Sequence, residues 1–133
     1  MAAVIIDGKA VAEKIRAKIK AEVAKLKVRP GLAAVIVGEN QASRAYVGMK
    51  RKACDEVGIY SELYKLPDAT TEKELLQLIE KLNASERIHA ILVQLPLPVQ
   101  LNEEKILAAV ALEKDVDGFS PVNVGKLFAG NEA

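Results

Sequence analysis

The sequence predicts an α/β fold, a mostly parallel sheet flanked by helices, and three observations carry that reading. Short apolar runs, LAAVIV at 32–37 and HAILVQ at 89–94, alternate with stretches whose apolar residues recur every three or four positions. The runs are nearly continuous in apolar residues, as in strands buried on both faces. Capping and turn residues separate the two kinds of segment. Helix and strand therefore take turns along the chain, the pattern of crossover units and not of hairpins.

Each element has its own signal. Asp7 is placed to cap a first helix, and Val11, Ile15, Ile19, Val23 and Leu26 form its apolar stripe until Pro30-Gly31 stops it. Leu32 to Val37 reads as a buried strand, and Gly38-Glu39-Asn40 turns the chain. A second helix is expected from about Ala42 to Val57, ending at Gly58. Ile59 to Leu66 alternates and reads as a strand nearer an edge. Thr71 to Glu74 is a capping box, and Leu75, Ile79 and Leu82 supply the inner face of a third helix. His89 to Gln94 is the next strand, ended by Pro96 and Pro98. Asn102 caps a fourth helix to about Ala111, a loop spans Glu113 to Phe119, and Ser120-Pro121 opens a last helix to about Phe128. Ligands bind such sheets outside the carboxyl ends of the strands, so site residues are expected just after Val37, Leu66 and Val93.

Composition narrows the function. At 133 residues the chain fits one domain, and with half of it hydrophobic it can build a packed core. Nineteen Lys and Arg against eighteen Asp and Glu leave a net charge of +1, so no basic field points to nucleic acid. One cysteine, Cys54, excludes an intrachain disulfide, and one histidine, His89, argues against a histidine-rich metal centre within one chain. The apolar start MAAVII is cut short by Asp7-Gly8-Lys9, and no run approaches the ~20 apolar residues of a membrane span. The expectation is a cytoplasmic protein with no metal, nucleic-acid or membrane partner.

One constellation could carry chemistry. At about 100° per residue, Ser43, Tyr46 and Lys50 share a sector of about 60° on the second helix, and Val47, Ala53, Cys54 and Val57 lie in or beside it. A lysine thus interrupts an apolar stripe. Desolvation disfavours an ammonium, so a lysine held there can serve as a general base near neutrality, or it can snorkel past Val47 or Val57 to water. Tyr46 is either core or a stacking surface whose hydroxyl bonds the lysine, and Ser43 is either a helix-start residue or a ligand contact. Gln94 ends an apolar strand and needs a partner there: a neighbouring loop, Lys50 or a ligand. Asp115-Val116-Asp117-Gly118 is either a solvated turn or a segment with one acid turned inward to accept paired N–H donors. His89 and Cys54 read as structural.

Tyr46-x-x-x-Lys50 is shared with the short-chain dehydrogenases, but their glycine-rich turn is missing. GENQASRAYVGMK (38–50), KACDEVGI (52–59), VQLPLP (93–98), KDVDGF (114–119) and PVNVGKL (121–127), with Asp7-Gly8-Lys9, together resemble the bifunctional methylenetetrahydrofolate dehydrogenase/methenyltetrahydrofolate cyclohydrolase family over essentially the whole chain. The resemblance implies an amino-acid dehydrogenase-like amino-terminal domain, a folate-binding catalytic domain spanning 1–133. It implies a catalytic Lys50 placed by Tyr46 and Gln94, and a folate pocket of Ser43, Tyr46, Gln94, Pro96 and Asp117, with Asp117 on the pterin. It further implies oxidation of 5,10-methylenetetrahydrofolate with NADP, hydrolysis of 5,10-methenyltetrahydrofolate to 10-formyltetrahydrofolate, and a homodimeric parent enzyme. The family's Rossmann domain, which binds the cofactor, has no counterpart before Ala133, so no cofactor-binding residue and no metal ligand is assigned to this chain. The alternatives are a non-catalytic folate-binding module and a related amino-terminal domain acting on another substrate.

Overall fold

The computed structural model describes residues 3–131; Met1 and Ala2, the first two residues of the apolar start, lie outside the described residues. Five helices and three strands follow in the order α1 (Gly8–Val23), β1 (Gly31–Val37), α2 (Gln41–Val57), β2 (Tyr60–Leu66), α3 (Glu72–Ala84), β3 (Ala90–Val93), α4 (Glu103–Ala109) and α5 (Pro121–Phe128), with a 3-10 turn at Leu112–Lys114. The caps expected from sequence are made. Asp7, Asn102 and Ser120 each accept a backbone N–H of the following helix, Thr71 and Glu74 form the capping box, and Gly58 ends α2 in the left-handed conformation. Asn40, read only as part of a turn, also caps α2.

The strands form one parallel sheet in the order β2-β1-β3. β1 pairs with β2 from Gly31↔Tyr60 to Val37↔Leu66 and with β3 from Leu32↔Ala90 to Val35↔Val93. Chain direction reverses about β1: the first crossover moves to one side of it and the second to the other. Right-handed crossovers then put α2 and α3 on opposite faces. The two cores reflect this. Ala33, Val35, Val37, Ile91 and Val93 point into a large cluster with Leu75, Ile79, Leu82, Ile88 and Ile106, whereas Ala34, Ile36 and Leu92 form a small cluster with Val47 of α2, against which Leu32 and Leu63 pack. Each large side chain sealed in the first cluster stabilises the fold by roughly 1.5–3 kcal/mol.

Edges are managed locally. On β2, Tyr60 donates to Glu62 at 2.5 Å, Tyr64 donates to the same carboxylate, and Arg87 lies 4.6 Å over the Tyr60 ring. The two hydroxyls hold the Glu62 carboxyl below its ordinary range, and the hydrogen bond to Glu62 pushes Tyr64 up to about 12. A charge on an edge strand also discourages another strand from adding to it. At the other edge β3 is shorter than its sequence run, ending at Val93, and its outer side makes a single parallel bridge from Ile91 to Asp115. Gly31 is required where it stands, because a Cβ there would lie 1.9 Å from the Arg87 carbonyl oxygen. Its N–H donates to His89 Nδ1 at 3.0 Å, which gives that histidine the structural role expected of it.

The first helix departs from expectation. An apolar stripe on an amphipathic helix ordinarily faces a core, yet Val11, Ile15, Ile19 and Leu26 are exposed and α1 has no buried residue. The helix ends at Val23 and packs sideways on α2, with Arg16 3.4 Å from Glu56, so its apolar side never reaches the sheet. The loop expected at 113–119 begins as the 3-10 turn. Among the described residues no helix is long and apolar enough to cross a membrane, and no group of three or more His, Cys, Asp or Glu could hold a metal ion.

Candidate active site

A doubly wound sheet opens a crevice where neighbouring crossovers run to opposite sides, here between the carboxyl ends of β1 and β3. The turn Gly38-Glu39-Asn40 leaves β1, and Gln94-Leu95-Pro96 leaves β3. The backbone of Gln94 is tied to β1 by its N–H to the Val35 carbonyl at 2.8 Å. The Leu95–Pro96 peptide is cis, and Pro96 is exposed at the mouth of the crevice.

Three side chains and one backbone carbonyl meet there in a short relay. Ser43 is buried at the start of α2, its N–H held by Asn40 Oδ1 at 3.0 Å, and its Oγ donates to the Leu95 carbonyl at 3.4 Å. Gln94 Nε2 donates to the same carbonyl at 3.0 Å. That bond fixes the amide's orientation, so Oε1 faces away from Leu95 and accepts from Lys50 Nζ at 3.2 Å. Lys50 is half-buried, two turns down the helix from Ser43. The sequence left Gln94 a choice of partners, and it takes both the loop and the lysine.

Tyr46 does not join this relay. It is 56% exposed, and among the described residues no hydrogen bond links its hydroxyl to Lys50. The buried stripe of α2 runs through Ser43, Val47, Cys54 and Val57, and Tyr46 lies on its outer margin. It therefore presents a ring to solvent at the lip of the crevice, where a planar ligand could stack. Cys54 is core, and burial, reinforced by Asp55, pushes its thiol up.

The two acids of the DVDG turn separate cleanly. Asp115 accepts from the N–H of Phe119 at 3.2 Å and of Ser120 at 2.9 Å, and from Asn123 Nδ2 at 3.0 Å. Asn123 is 3% exposed and also donates to the Leu112 carbonyl at 3.0 Å. Asp115 is thus spent on folding the loop back. Asp117 is left at the exposed rim with no side-chain hydrogen bond among the described residues. The protein mass around its carboxyl raises its pKa above the ordinary value; nearby Lys50 opposes the rise and Asp115 adds to it. Lys50 and Asp117 thus face one another electrostatically across the crevice. Sequence reasoning missed the Asp115–Asn123 pair, and also Lys114, whose Nζ donates to the carbonyls of Leu82, Asn83 and Ser85 at 3.1, 2.7 and 2.9 Å and so closes the end of α3. Three carbonyls left over at a helix end call for such a cation, but only the fold brings residue 114 to them.

Residues 6–117 match the family described as tetrahydrofolate dehydrogenase/cyclohydrolase, catalytic domain. The chain belongs to that family. The bifunctional protein FolD of Geotalea daltonii is 64% identical over 129 residues, which is 95% of this chain and 46% of the relative. That of Moorella thermoacetica is 56% identical over 135 residues, 99% of this chain and 48% of the relative. The crystal structure of the bifunctional FolD methylenetetrahydrofolate dehydrogenase/cyclohydrolase from Campylobacter jejuni superposes with a TM-score of 0.93 at 46% identity, over 96% of this chain and 46% of that one. The chain therefore spans about half the length of the tetrahydrofolate dehydrogenase/cyclohydrolase relatives it matches. The Trypanosoma brucei enzyme, solved with NADP cofactor and inhibitor, has a TM-score of 0.91 at 41% identity, over 94% of this chain and 44% of that one. In this family member the turn after β1 has a single glycine, Gly38, followed by Glu39, whose carboxylate pairs with Arg44 at 2.8 Å. A pyrophosphate cradle needs several glycines and no carboxylate, so these residues do not fit a dinucleotide.

Proposed function

We propose that this chain is the folate-binding catalytic half of an enzyme that oxidises 5,10-methylenetetrahydrofolate with NADP and hydrolyses 5,10-methenyltetrahydrofolate to 10-formyltetrahydrofolate. The observation that carries the proposal is the Ser43–Leu95–Gln94–Lys50 relay, open to a rim where Tyr46 and Asp117 are free for a ligand. In this reading the dinucleotide belongs to a separate domain of the longer parent, because the turn after β1, with one glycine and the Glu39 carboxylate, does not suit it. A homodimeric, cytoplasmic parent is part of the same reading.

The chemistry follows from the residues. Asp117 offers two carboxylate oxygens to two adjacent N–H donors, which suits the amino group and ring N–H of a pterin. Tyr46 lies along the ring system, with Pro96 across the mouth. Lys50 is the base. It takes one proton from water as the oxygen attacks the methenyl carbon and passes it to the ring nitrogen as that nitrogen's bond to the carbon breaks; the remaining hydroxyl proton goes to solvent as the formyl C=O forms on the other nitrogen. Gln94 holds one N–H of the amine and so aims its lone pair.

Hydrolysis and binding of 5,10-methenyltetrahydrofolate by this chain test the assignment. Lys50→Met should bind but lose hydrolysis by about 10²–10⁴-fold, the usual worth of a positioned base. Asp117→Ala should weaken binding at least tenfold, as loss of a charged hydrogen-bond acceptor does. Retained hydrolysis in Lys50→Met would remove the base from the scheme. Binding without hydrolysis by the unsubstituted chain would favour the second reading, a non-catalytic folate module.

A further inference from the structure

The wall of the crevice that the β3–α4 loop forms is held from behind. Leu95 to Asn102 join Gln94 to α4. Two backbone polar groups flank Pro96, which has no N–H of its own. On one side the Leu95 carbonyl accepts from Ser43 Oγ and Gln94 Nε2 inside the crevice. On the other the Leu97 N–H donates to Glu103 Oε1 at 3.2 Å. Leu97 is buried in the main core with Leu101 and Ile106, so its N–H needs a protein partner. Glu103 is the first residue of α4, the helix that packs on α3. The far half of the loop has its own ties. Leu101 donates to the Pro98 carbonyl at 2.9 Å, and Gln100 Nε2 donates to the Asp68 carbonyl at 2.5 Å. Among the described residues, Glu103 is the one side chain outside the crevice that grips the backbone of 95–97.

We propose that Glu103 is a positioning residue for Lys50, acting through the Leu95 carbonyl and Gln94; the proposal rests on the reading of Lys50 as the base. The Leu95 carbonyl and the Leu97 N–H belong to adjacent peptide planes that meet at the Pro96 Cα. The pyrrolidine ring locks φ of Pro96, so its ψ is the single soft torsion between the two planes. A bond that fixes the Leu97 N–H therefore also fixes the direction of the Leu95 carbonyl. If that carbonyl turns, it cannot meet Ser43 Oγ and Gln94 Nε2 together. The Gln94 amide then loses the bond that aims its Oε1 at Lys50 Nζ. A second role is open to Glu103, because an acid at a helix N-terminus favours the helix itself. That role needs the charge, whereas the grip on Leu97 needs only an acceptor oxygen. Glutamine keeps the oxygen and drops the charge, so it separates the two.

The test follows the Gln94 side-chain amide by heteronuclear NMR in the unsubstituted chain, Glu103→Ala, Glu103→Gln and Glu104→Ala, and measures hydrolysis of 5,10-methenyltetrahydrofolate by each. The Gln94 proton bonded to Leu95 should exchange about fivefold faster in Glu103→Ala, the effect of one weakened hydrogen bond, and at the unsubstituted rate in Glu103→Gln. In Glu103→Ala kcat should fall about tenfold at unchanged KM, since a misaligned base slows the step without loosening the substrate; Glu103→Gln should restore it. Glu104→Ala removes the other acid of the same turn and should change neither readout. Equal behaviour of Glu103→Ala and Glu103→Gln overturns the positioning role and leaves Lys50 as the base. So does an unmoved Gln94 signal in Glu103→Ala, or an unmoved kcat beside a Gln94 signal that shifts. A Gln94 signal that responds as expected in a chain without hydrolysis upholds the coupling of Glu103 to Gln94 and overturns the reading of Lys50 as the base of this chain.

Discussion

Asp115 and Asp117 are one residue apart and have opposite fates. Asp115 collects three N–H donors, and Asp117 collects no side-chain hydrogen bond among the described residues. The Asp117 carboxyl, raised by its partial enclosure, makes a pH prediction possible. An unfolded aspartate titrates near 3.8, and the folded one titrates above that. Between the two values the folded chain binds more protons than the unfolded one. Stability therefore falls as pH rises through that window and stays reduced above it. Asp117→Asn removes the charge, so it should raise the urea midpoint slightly at neutral pH, and the gain should vanish by about pH 3. Because the residue is exposed, solvent screening keeps the gain within about 0.5 kcal/mol. A lower midpoint at neutral pH would mean that an attractive partner, and not enclosure, dominates at this carboxylate.

The segment from the 3-10 turn to α5 is held as an element by polar bonds more than by apolar packing. Val116, Phe119, Val122 and Val124 are exposed, while Asn123 is buried and ties the Leu112 carbonyl to the Asp115 carboxylate. Asn123→Ala leaves two acceptors short of a donor, at a cost of about 1–3 kcal/mol, and frees the turn that presents Asp117. Urea unfolding should show that loss, and folate binding should weaken with it; unchanged stability would mean that the loop has other anchors. This contact marks where sequence reading ended. The helix starts at Asp7, Thr71, Asn102 and Ser120 were legible because a cap is a bond between residues two or three apart. The Lys50–Gln94 contact was legible as an option, since both break apolar patterns. Asn123 carried no such signal: its partners lie 8 and 11 residues away along a path set only by the fold. The α1 stripe misled for a related reason. Periodicity reveals that one side of a helix is apolar and does not reveal what will cover it.

Across the whole molecule the sheet is unequally clad. On the α3 side thirteen buried residues form one core, whereas on the α2 side the cluster has four, Ala34, Ile36, Val47 and Leu92. Against α2 packs α1, whose Val11, Ile15 and Ile19 face solvent instead of sealing the layer. Local opening costs least where the fewest apolar contacts must be broken, so the two layers should differ in native-state hydrogen exchange. Amides of α3 and of β1 should exchange only on global unfolding. Those of α1 and α2 should exchange through a cheaper partial opening that leaves the sheet and the α3 layer intact. The consequence for the proposed chemistry is direct, because Ser43, Tyr46 and Lys50 ride on α2 whereas Gln94 is anchored to β1. The Lys50–Gln94 bond would then join a softer layer to a rigid one, and a folate bound across it should slow exchange in α2 more than in α3. Equal protection of α2 and α3 in the free chain would show that the small core suffices, and that the layer carrying Lys50 is as rigid as the sheet beneath it.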